Sequence, residues 1–396
     1  MSEAPLKGVR VLDLSRILAG PLCAMVLGDL GCDVIKVENP DGGDDTRHFG
    51  PPFRDGVSAY NMAFNRNKRG IVADFKSEEG QAVVRALAAC SDVLIENYRF
   101  GTMEKFCLGL DGLRAENPKL ITVSISGYGR GSPMAERAGY DFMIQAESGL
   151  MSITGEPDGP PVRVGVSIAD MLTGHNAAQA VLAALIARGK SGHGQHIDMA
   201  LFDSTVTALS NVASAYLMDG KTPERHGAAH PSVAPYQPYT TKDHPLALAI
   251  ANNGQFRTLC KAIGREDLIE NALYLTNGLR AENRVALAAE LETVFKTAGR
   301  DAWLEKLHAV GLPAGAVRTV DEALESPEAK AHELVREVPH PTLGTARILA
   351  SPIRLSETPV VDPTAPPELG QHTVEVLTGV LGWDKAKAAD YAKRLG

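Results

Sequence analysis

The feature that most constrains this fold is an alternation of short apolar runs and helix-like segments in the first 125 residues. Residues 9–14 form an apolar run typical of a buried strand, and Ala19-Gly20-Pro21 breaks it and opens a helix over 22–30. The pattern continues with strands predicted at 33–37, 70–75, 92–95 and 120–125 and a helix at 78–89. Strands that alternate with helices predict an α/β fold with a parallel, doubly wound sheet, whose ligands bind at the carboxyl ends of the strands.

The remainder of the chain changes character. Residues 171–188 predict a helix, 199–218 form a second apolar stretch, and Gly and Pro cluster at 220–245 as in a linker or crossover. Further elements are predicted as a strand at 244–251 and helices at 255–263, 265–273, 282–310 and 372–394. Mild shifts of composition near residues 225 and 335 predict a smaller middle domain, inserted within the large one or following it.

Charge and cysteine content exclude several classes of protein. Lys and Arg number 40 against 48 Asp and Glu, and a net charge of −8 without a basic block argues against nucleic acid as a partner. The five cysteines show no C-x-x-C or zinc spacing, so no metal is expected. The amino terminus lacks an apolar signal core, and no apolar run approaches the ~20 residues of a membrane span. We therefore expect a soluble, cytoplasmic protein without a membrane partner.

The first βαβ unit suggests a nucleotide-like ligand but not NAD. Glu38 lies about where a dinucleotide-binding fold places its ribose-binding acid. The G-x-G-x-x-G fingerprint is absent, because the loop after the first strand is Ser15-Arg16-Ile17-Leu18-Ala19-Gly20-Pro21. A ligand in the crevice beside this loop and a purely structural turn both remain open.

Two other segments each have a binding and a structural interpretation. The basic cluster Arg66, Lys68 and Arg69, with Arg47 at a distance, could hold phosphates or form an ordinary solvated turn. The glycine-rich loop at 127–133 follows a predicted strand and would let a ligand approach the backbone, or it is a mobile loop.

Asp170 is the candidate nucleophile. It stands directly before the apolar segment at 171–188, where a carboxylate would accept N–H groups of the helix start and stay ionised at the positive helix end. An ordinary N-cap does the same, so capping is the alternative. An aspartate can also carry a covalent intermediate.

These segments together, in this order, resemble the family III CoA-transferases, the formyl-CoA and carnitine CoA-transferase group, and the related alpha-methylacyl-CoA racemases. The resemblance covers about residues 8–205 and is looser in the C-terminal half, where LPAGAV at 312–317 is its clearest element. The matching segments are VRVLDLSRILAGP, GCDVIKVENPDGGDDTR, NRNKRGI, DVLIENYRFGTMEK, ISGYGRGSP, RAGYD, SIADMLTG and GHGQHIDMALFDS.

The resemblance implies an architecture and an assembly. It implies a Rossmann-type large domain over residues 1–205 that is completed by about 336–396, and a smaller α+β domain over 225–335. Linkers are expected at about 206–224 and 325–340. It also implies an interlocked homodimer, in which each chain forms a ring threaded through the other.

The resemblance also assigns site residues. Asp170 matches the family's catalytic aspartate, and Ile17, Leu18 and Ala19 match the loop that lies along CoA. Asn97 matches a CoA-contacting asparagine, and Lys105 stands where an arginine contacts CoA. Arg47 and Arg69 are candidate phosphate partners. Arg16, Arg137, Gly139 and Tyr140 are candidates near the acyl group or its acceptor.

Two departures from the family pattern bear on the reaction. The racemases carry a histidine in the triplet that reads Gly139-Tyr140-Asp141 here. A phenol, with an ordinary pKa near 10, is a poor partner for moving a proton at neutral pH. Transfer is therefore favoured over racemisation. The glycine loop that covers the aspartate in formyl-CoA transferase is matched only by Asn252-Asn253-Gly254-Gln255, so formate or oxalate specificity is not expected.

The expected reaction moves CoA reversibly from an acyl-CoA, with succinyl-CoA preferred, to a free carboxylic acid. It proceeds through a mixed anhydride and an aspartyl-CoA thioester on Asp170 and needs neither metal nor NAD. A short dicarboxylate is the preferred acceptor, with Arg16, Arg47, Arg137 and Arg163 as cations for its distal carboxylate. A racemase or isomerase, and a non-catalytic acyl-CoA binder, are the alternatives.

Overall fold

The computed structural model describes residues 3–395. Its strands are short. In chain order they are β1 Arg10–Asp13, β2 Asp33–Glu38, β3 Phe53–Arg54, β4 Val57–Ser58, β5 Lys68–Val72, β6 Val93–Glu96, β7 Ile121–Ser126, β8 His196–Ala200, β9 Tyr236–Tyr239, β10 Leu246–Ala249, β11 Ala314–Ala316, β12 Val335–His340 and β13 Gly344–Leu349.

The helices range from single turns to the 24 residues of α7. They are α1 Ala19–Asp29, α2 Ala59–Phe64, α3 Glu78–Ala89, α4 Thr102–Lys105, α5 Leu110–Glu116, α6 Asp141–Glu147, α7 Ile168–Ser191, α8 Leu201–Ala208, α9 Ser210–Asp219, α10 Asn253–Ile263, α11 Asn277–Glu282, α12 Arg284–Phe295, α13 Arg300–Ala309, α14 Val320–Leu324, α15 Pro327–Ala331, α16 Thr373–Gly379 and α17 Lys385–Leu395.

Among the described residues, contacts divide the chain into two compact units. The larger comprises residues 3–150, 164–214 and 327–395, and the smaller comprises 151–163 and 215–326. The domain and linker boundaries expected above stay predictions.

The larger unit is built on a six-stranded parallel sheet with the order β5-β2-β1-β6-β7-β8. The strand order reverses between β1 and β6, as in doubly wound sheets, which confirms the predicted α/β class. Successive side chains of a strand point to opposite faces, so Val11 and Leu12 enter two different cores. Helices α1 and α7 cover one face, and α3, α5, α16 and α17 cover the other.

The smaller unit has its own core. Strands β9, β10 and β11 form an antiparallel sheet, and α10, α12 and α13 contribute apolar side chains to the same cluster. The indole N–H of Trp303 donates to the carbonyl of Phe295 at 2.8 Å, which satisfies the polar atom of a buried ring.

Several sequence-based element predictions are wrong. The helix predicted at 265–273 is only a 3-10 turn at Glu266–Leu268, because Gly264 adopts a left-handed conformation and ends α10. The helix predicted at 282–310 is broken before Arg300, whose N–H donates to the Asp243 carboxylate. Strands were missed at His196–Ala200, at Tyr236–Tyr239 within the predicted linker, and in the hairpin of β12 and β13.

Candidate active site

The loop after β1 and the residue after β6 meet where the strand order reverses. The side-chain oxygen of Asn97 accepts the Arg16 N–H at 2.8 Å, and its amide donates to the Arg16 carbonyl at 2.7 Å. Doubly wound sheets bind ligands in the crevice at this reversal. The structure therefore brings Asn97 against Arg16, 81 residues away in the sequence and directly before the loop of Ile17, Leu18 and Ala19.

A cleft lies beside this loop, at the carboxyl ends of β1, β2 and β5. Its walls include three cations, Arg16, Lys36 and Lys76, and three aromatic rings, Phe75, Tyr98 and Phe106. The Arg16 guanidinium lies 5.5 Å from the centroid of the Tyr98 ring. Cations and aromatic rings suit the phosphates and base of a nucleotide. Sequence reasoning missed all of these residues except Arg16, because only the fold assembles them.

Three cations were assigned to CoA through the resemblance, Arg47 and Arg69 as phosphate partners and Lys105 as a contact, and they differ in their ion pairs. Arg47 forms a two-pronged ion pair with Glu38, at 2.8 and 2.6 Å. Arg69 pairs with Asp33 at 2.7 Å at the amino ends of β5 and β2, away from the crevice. Lys105 ends α4, is exposed, and has no ion-pair partner among residues 3–395. The phosphate roles stay predictions, and the ion pairs count against Arg47 and Arg69.

The interpretation of the basic cluster as a solvated turn is wrong for its two buried members, Arg66 and Lys68. The Arg66 guanidinium donates to Asp29 at 2.9 Å, and the Lys68 ammonium donates to Asp13 at 2.9 Å. All four residues are buried. These cations are internal parts of the fold, and a buried charge is tolerated because it is paired.

Asp170 lies inside the helix and not before it. Helix α7 begins at Ile168, so Asp170 is its third residue, and its carboxylate accepts no hydrogen bond and forms no ion pair within residues 3–395. Burial, followed by repulsion from Asp141, raises the pKa of Asp170 to about 7. The capping interpretation is therefore wrong, as is the expectation that the helix end keeps this group ionised. An unpaired carboxylate is a better nucleophile than a paired one.

The capping role belongs to Asp141, which sequence reasoning did not assign. Its carboxylate accepts the Ala169 N–H at 2.9 Å and the Gln145 side-chain amide at 2.7 Å. It thereby satisfies a donor in the first turn of α7 and sets a second carboxylate near Asp170. Two acidic groups at one helix start raise the pKa of the one that lacks donors.

Close packing brings the start of α7 to the loop after β1. A side-chain carbon added at Gly174 would lie 2.7 Å from the Ala19 carbonyl oxygen, so only glycine permits this approach of α7 to α1. Met171 and Ile17 both pack against the small core of Leu18. Asp170, next to Met171, is therefore held beside the loop that the resemblance places along CoA.

Tyr60 is a further residue that the sequence did not reveal. It is half-buried in α2 and packs on the same small core. Burial is the main cause that raises the pKa of its hydroxyl, while the Ser167 side chain acts to lower it. Because Asp170 also acts on Tyr60 electrostatically, the phenol lies close to the candidate nucleophile. A separation of 110 positions left no signal in the sequence.

Gly139 and Tyr140 stand next to the glycine-rich loop. A side-chain carbon at Gly127 would lie 2.5 Å from the Gly139 Cα, so the two backbones touch. Tyr140 precedes α6 and is 67% exposed. The loop is anchored through Arg130, which pairs with the buried Glu96. Glycine here serves a close backbone approach.

The arginines considered for a distal carboxylate are placed differently. Arg16 pairs with Asp45 at 3.3 Å and is half exposed. Arg137 donates to Glu147 at 3.0 Å and is also half exposed. Arg163 belongs to the smaller unit.

The segment 252–255 is the start of a helix. Asn252 caps α10 by accepting the Gln255 N–H at 2.9 Å, and the Gln255 side chain accepts the Ala251 N–H at 2.8 Å. These reciprocal bonds hold the segment in a fixed conformation.

Residues 3–395 lack two further features. They contain no cluster of three or more His, Cys, Asp or Glu side chains arranged to hold a metal ion. None of their helices has the length and apolar character needed to cross a membrane.

The geometry defines a doubly wound α/β protein with an unpaired carboxylate beside its switch-point loop, and comparisons place it among known proteins. The family model for CoA-transferase family III matches residues 6–373. A succinyl-CoA:glutarate CoA-transferase of Homo sapiens is 42% identical over 96% of this chain and 87% of that protein. A succinate–glutarate CoA-transferase of Agrobacterium fabrum is 42% identical over 95% of both.

A solved structure gives the same result. The crystal structure of a CAIB/BAIF family protein from Brucella suis is 44% identical, with a TM-score of 0.87 over 96% of this chain and 100% of that one. The chain belongs to CoA-transferase family III, and it is an enzyme that transfers CoA. The resemblance seen in its sequence motifs is thus confirmed.

Proposed function

We propose that this enzyme moves CoA from succinyl-CoA to a short dicarboxylate, with Asp170 as the covalent nucleophile. The observation that carries the nucleophile is the unpaired Asp170 carboxylate beside the switch-point loop. The substrate class is supported by relatives that are 42% identical over almost the whole chain and are named for succinyl-CoA and glutarate. Glutarate, a five-carbon diacid, falls within the class of short dicarboxylates that was expected from the sequence.

The first half of the reaction would transfer CoA to the enzyme. A carboxylate oxygen of Asp170 attacks the thioester carbonyl, the C–S bond breaks, and CoA leaves as a thiolate while a mixed anhydride forms. The thiolate then attacks the aspartyl carbonyl of the anhydride. The bond between the aspartyl carbonyl carbon and the bridging oxygen breaks, succinate leaves with that oxygen, and an aspartyl-CoA thioester remains.

The second half would repeat these steps in reverse order. The acceptor carboxylate attacks the aspartyl thioester and releases the thiolate, which attacks the acceptor acyl carbon of the new anhydride. Asp170 is regenerated and the acceptor leaves as its CoA thioester. Thioester or anhydride is kept throughout, so the site must exclude water. The half-buried position of Asp170 is consistent with this need.

CoA would lie along Ile17, Leu18 and Ala19, with its nucleotide end in the neighbouring cleft. Phe75, Tyr98 and Phe106 offer ring faces and edges there, while Arg16, Lys76 and Lys105 offer cations. Asn97 would contact CoA while it supports the loop. We assign Tyr60 and Tyr140 to the acyl side, with Arg16 or Arg137 as the cation for a distal carboxylate.

We further propose an interlocked homodimer, with a Rossmann-type large domain built from both chain ends. Helices α16 and α17 pack into the same core as α3, which supports a domain closed by the C-terminal segment. The five cysteines are free thiols, which fits a reducing compartment such as the cytoplasm.

The test is acyl exchange in deuterated water. Purified enzyme receives succinyl-CoA with a series of C4–C6 dicarboxylates and monocarboxylates of equal length, and the acyl-CoA products are identified by mass. We expect new dicarboxyl-CoA species without deuterium, and little product from the monocarboxylates.

Hydroxylamine trapping tests the nucleophile in the same samples. It should convert an activated Asp170 to a hydroxamate that peptide mass spectrometry locates, and the Asp170→Asn variant should give none. Deuterium at the α-carbon of an added 2-methylacyl-CoA, without acyl exchange, would overturn the proposal in favour of racemase chemistry. CoA binding without either reaction would leave a non-catalytic binder.

A further inference from the structure

The backbone of the loop after β1 is held by side chains on all its sides. The Ser15 N–H donates to Asp13 at 3.0 Å, and the Ser15 carbonyl accepts the Lys36 ammonium at 2.9 Å. The Ile17 N–H donates to the two oxygens of Asp44 at 3.2 and 3.3 Å. Asn97 also bonds to both the N–H and the carbonyl of Arg16. Side chains outside the loop therefore fix its backbone conformation.

The loop needs this support because its conformation is strained. Ile17 has a φ of 69°, in the left-handed region. A β-branched side chain is strained there, and it persists in this conformation only where the surroundings impose it. Ile17 is the first of the three residues that match the CoA loop. Without a hydrogen-bond acceptor for its N–H, we expect this residue to adopt a negative φ.

The hold on Ile17 comes from a buried ion pair. The Lys36 ammonium lies 2.9 Å from Asp44, and both side chains are at most 1% exposed. Asp44 also accepts the Thr46 N–H at 3.0 Å, and its own N–H donates to Glu38 at 2.9 Å. The lysine attraction holds the pKa of Asp44 at about 2, so it remains a charged acceptor.

We propose that Asp44 and Lys36 are positioning residues that hold Ile17 in its left-handed conformation and so shape the loop for CoA. The inference rests on the proposed function, because it takes Ile17, Leu18 and Ala19 to be the CoA-contacting backbone. The alternative is that the ion pair only stabilises the 3-10 turn at Asp45–His48, which Asp44 caps.

The first experiment compares Asp44→Asn with Asp29→Asn. Asp29 is a matched control, because it is buried and paired with Arg66 but lies at the far end of α1 from the loop. Free CoA is titrated into each protein by calorimetry, and thermal unfolding is recorded for both. We expect Asp44→Asn to raise the Kd for CoA about tenfold, while Asp29→Asn stays within about twofold at a similar loss of Tm.

The second experiment removes the strain. Glycine adopts a positive φ without steric cost, so Ile17→Gly makes the hold on residue 17 less necessary. In the Ile17→Gly background we expect Asp44→Asn to raise the Kd by less than about threefold. A role confined to the turn at 45–48 would give the same factor in both backgrounds, because that turn is unchanged by glycine at 17.

The variants also guard against misfolding. If Asp44→Asn does not fold, because Lys36 is left buried without a partner, the double variant Lys36→Met and Asp44→Asn removes both charges and should show the same tenfold loss. A Kd equal to the control's in folded protein overturns the inference, as does an equal loss in the Ile17→Gly background. Failure of the unmodified protein to bind CoA would instead overturn the proposed function.

Discussion

Two regions of the larger unit use aspartate in opposite ways. Under the loop after β1, Asp13 and Asp44 are buried with Lys68 and Lys36 as partners, and those partners lower the pKa of both carboxyl groups. At the start of α7, Asp170 has no cation or donor among residues 3–395, and burial raises its pKa to about 7. The same side chain is a paired, fixed charge in one place and an unpaired, buried group in the other.

The difference lies in what each neighbourhood provides and not in the residue type. A buried carboxylate with a lysine and backbone donors stays ionised and rigid, so it is suited to holding a strained backbone. A carboxylate without partners keeps its lone pairs available and its energy high, so it is suited to attack a carbonyl. Paired charges build this site, and unpaired charges would perform its chemistry.

Asp170→Asn should have the largest effect on activity. Asparagine keeps the size and removes the nucleophile, so we expect acyl transfer to fall about 10³-fold or more while the Kd for CoA changes less than about threefold. Steady-state transfer from succinyl-CoA and CoA calorimetry measure the two quantities. Transfer within tenfold of the unmodified enzyme would mean that Asp170 is not the nucleophile.

Asp13→Asn should show the cost of removing a partner from the paired region. Lys68 would be left as a buried, unpaired cation, and we expect a loss of about 3–5 kcal/mol in the free energy of unfolding at pH 7. Burial already lowers the pKa of Lys68 to about 8. The loss should therefore shrink at pH 9, where Lys68 deprotonates, and urea unfolding at both pH values measures it.

The double variant Asp13→Asn with Lys68→Met is the matched control. It removes both charges and should recover more than half of the lost stability. A single variant that costs under about 1 kcal/mol would show that the pair contributes little rigidity.

The pH dependence of transfer tests whether the pKa of the unpaired Asp170 is raised. The nucleophile is the carboxylate, so kcat/KM for succinyl-CoA should rise as pH increases through about 7, the pKa of Asp170. Asp141→Asn removes the repulsion that contributes to this pKa and should move the rise to lower pH. Asp111→Asn, an exposed carboxylate of α5, should leave the profile unchanged. An identical profile in Asp141→Asn would leave burial as the whole cause.

Thermal stability gives an independent check on Asp170. Its folded pKa lies above the ordinary value of 3.8, so the folded state binds its proton more tightly than the unfolded state. That stabilisation is complete below pH 3.8 and is lost as pH rises through 7. We expect Asp170→Asn to gain a few degrees in Tm relative to the unmodified enzyme between pH 5.5 and 8.5. A constant difference over this range would mean that Asp170 is well solvated.

The sheet was predictable from the sequence because its central strands are short segments in which Val, Leu and Ile recur and are buried. Buried strands such as β1, β6 and β7 can be recognised in a sequence by their apolar residues. The hairpin of β12 and β13 was missed, since its residues alternate between buried and exposed and include a proline and charges. The edge strand β8 was missed for the same reason.

The site was only partly predictable, because its chemistry depends on partners far apart in the chain. The sequence alone left Asp170 as either a nucleophile or a helix cap, and only the family resemblance matched it to a catalytic aspartate and placed residues 17–19 along CoA. The sequence did not reveal that Asp141 caps a helix whose capped residue lies 28 positions away. It suggested Arg47 as a phosphate partner, although the fold pairs that cation with Glu38. Residue type shows which groups can ionise, while pairing, which decides their use, is a property of the fold.

Lys105 should give the smallest effect and test the comparison among cations. It is exposed and has no ion-pair partner among the described residues, in contrast with Arg47 and Arg69. Lys105→Ala should raise the Kd for CoA about threefold at low ionic strength, and the difference should fade at 0.5 M salt, because an exposed charge is screened. Lys119→Ala, an exposed lysine at the amino side of β7, is the control and should leave the Kd unchanged. An equal effect of both variants would mean that CoA responds to net charge, and the contrast between free and paired cations would then not extend to the CoA phosphates.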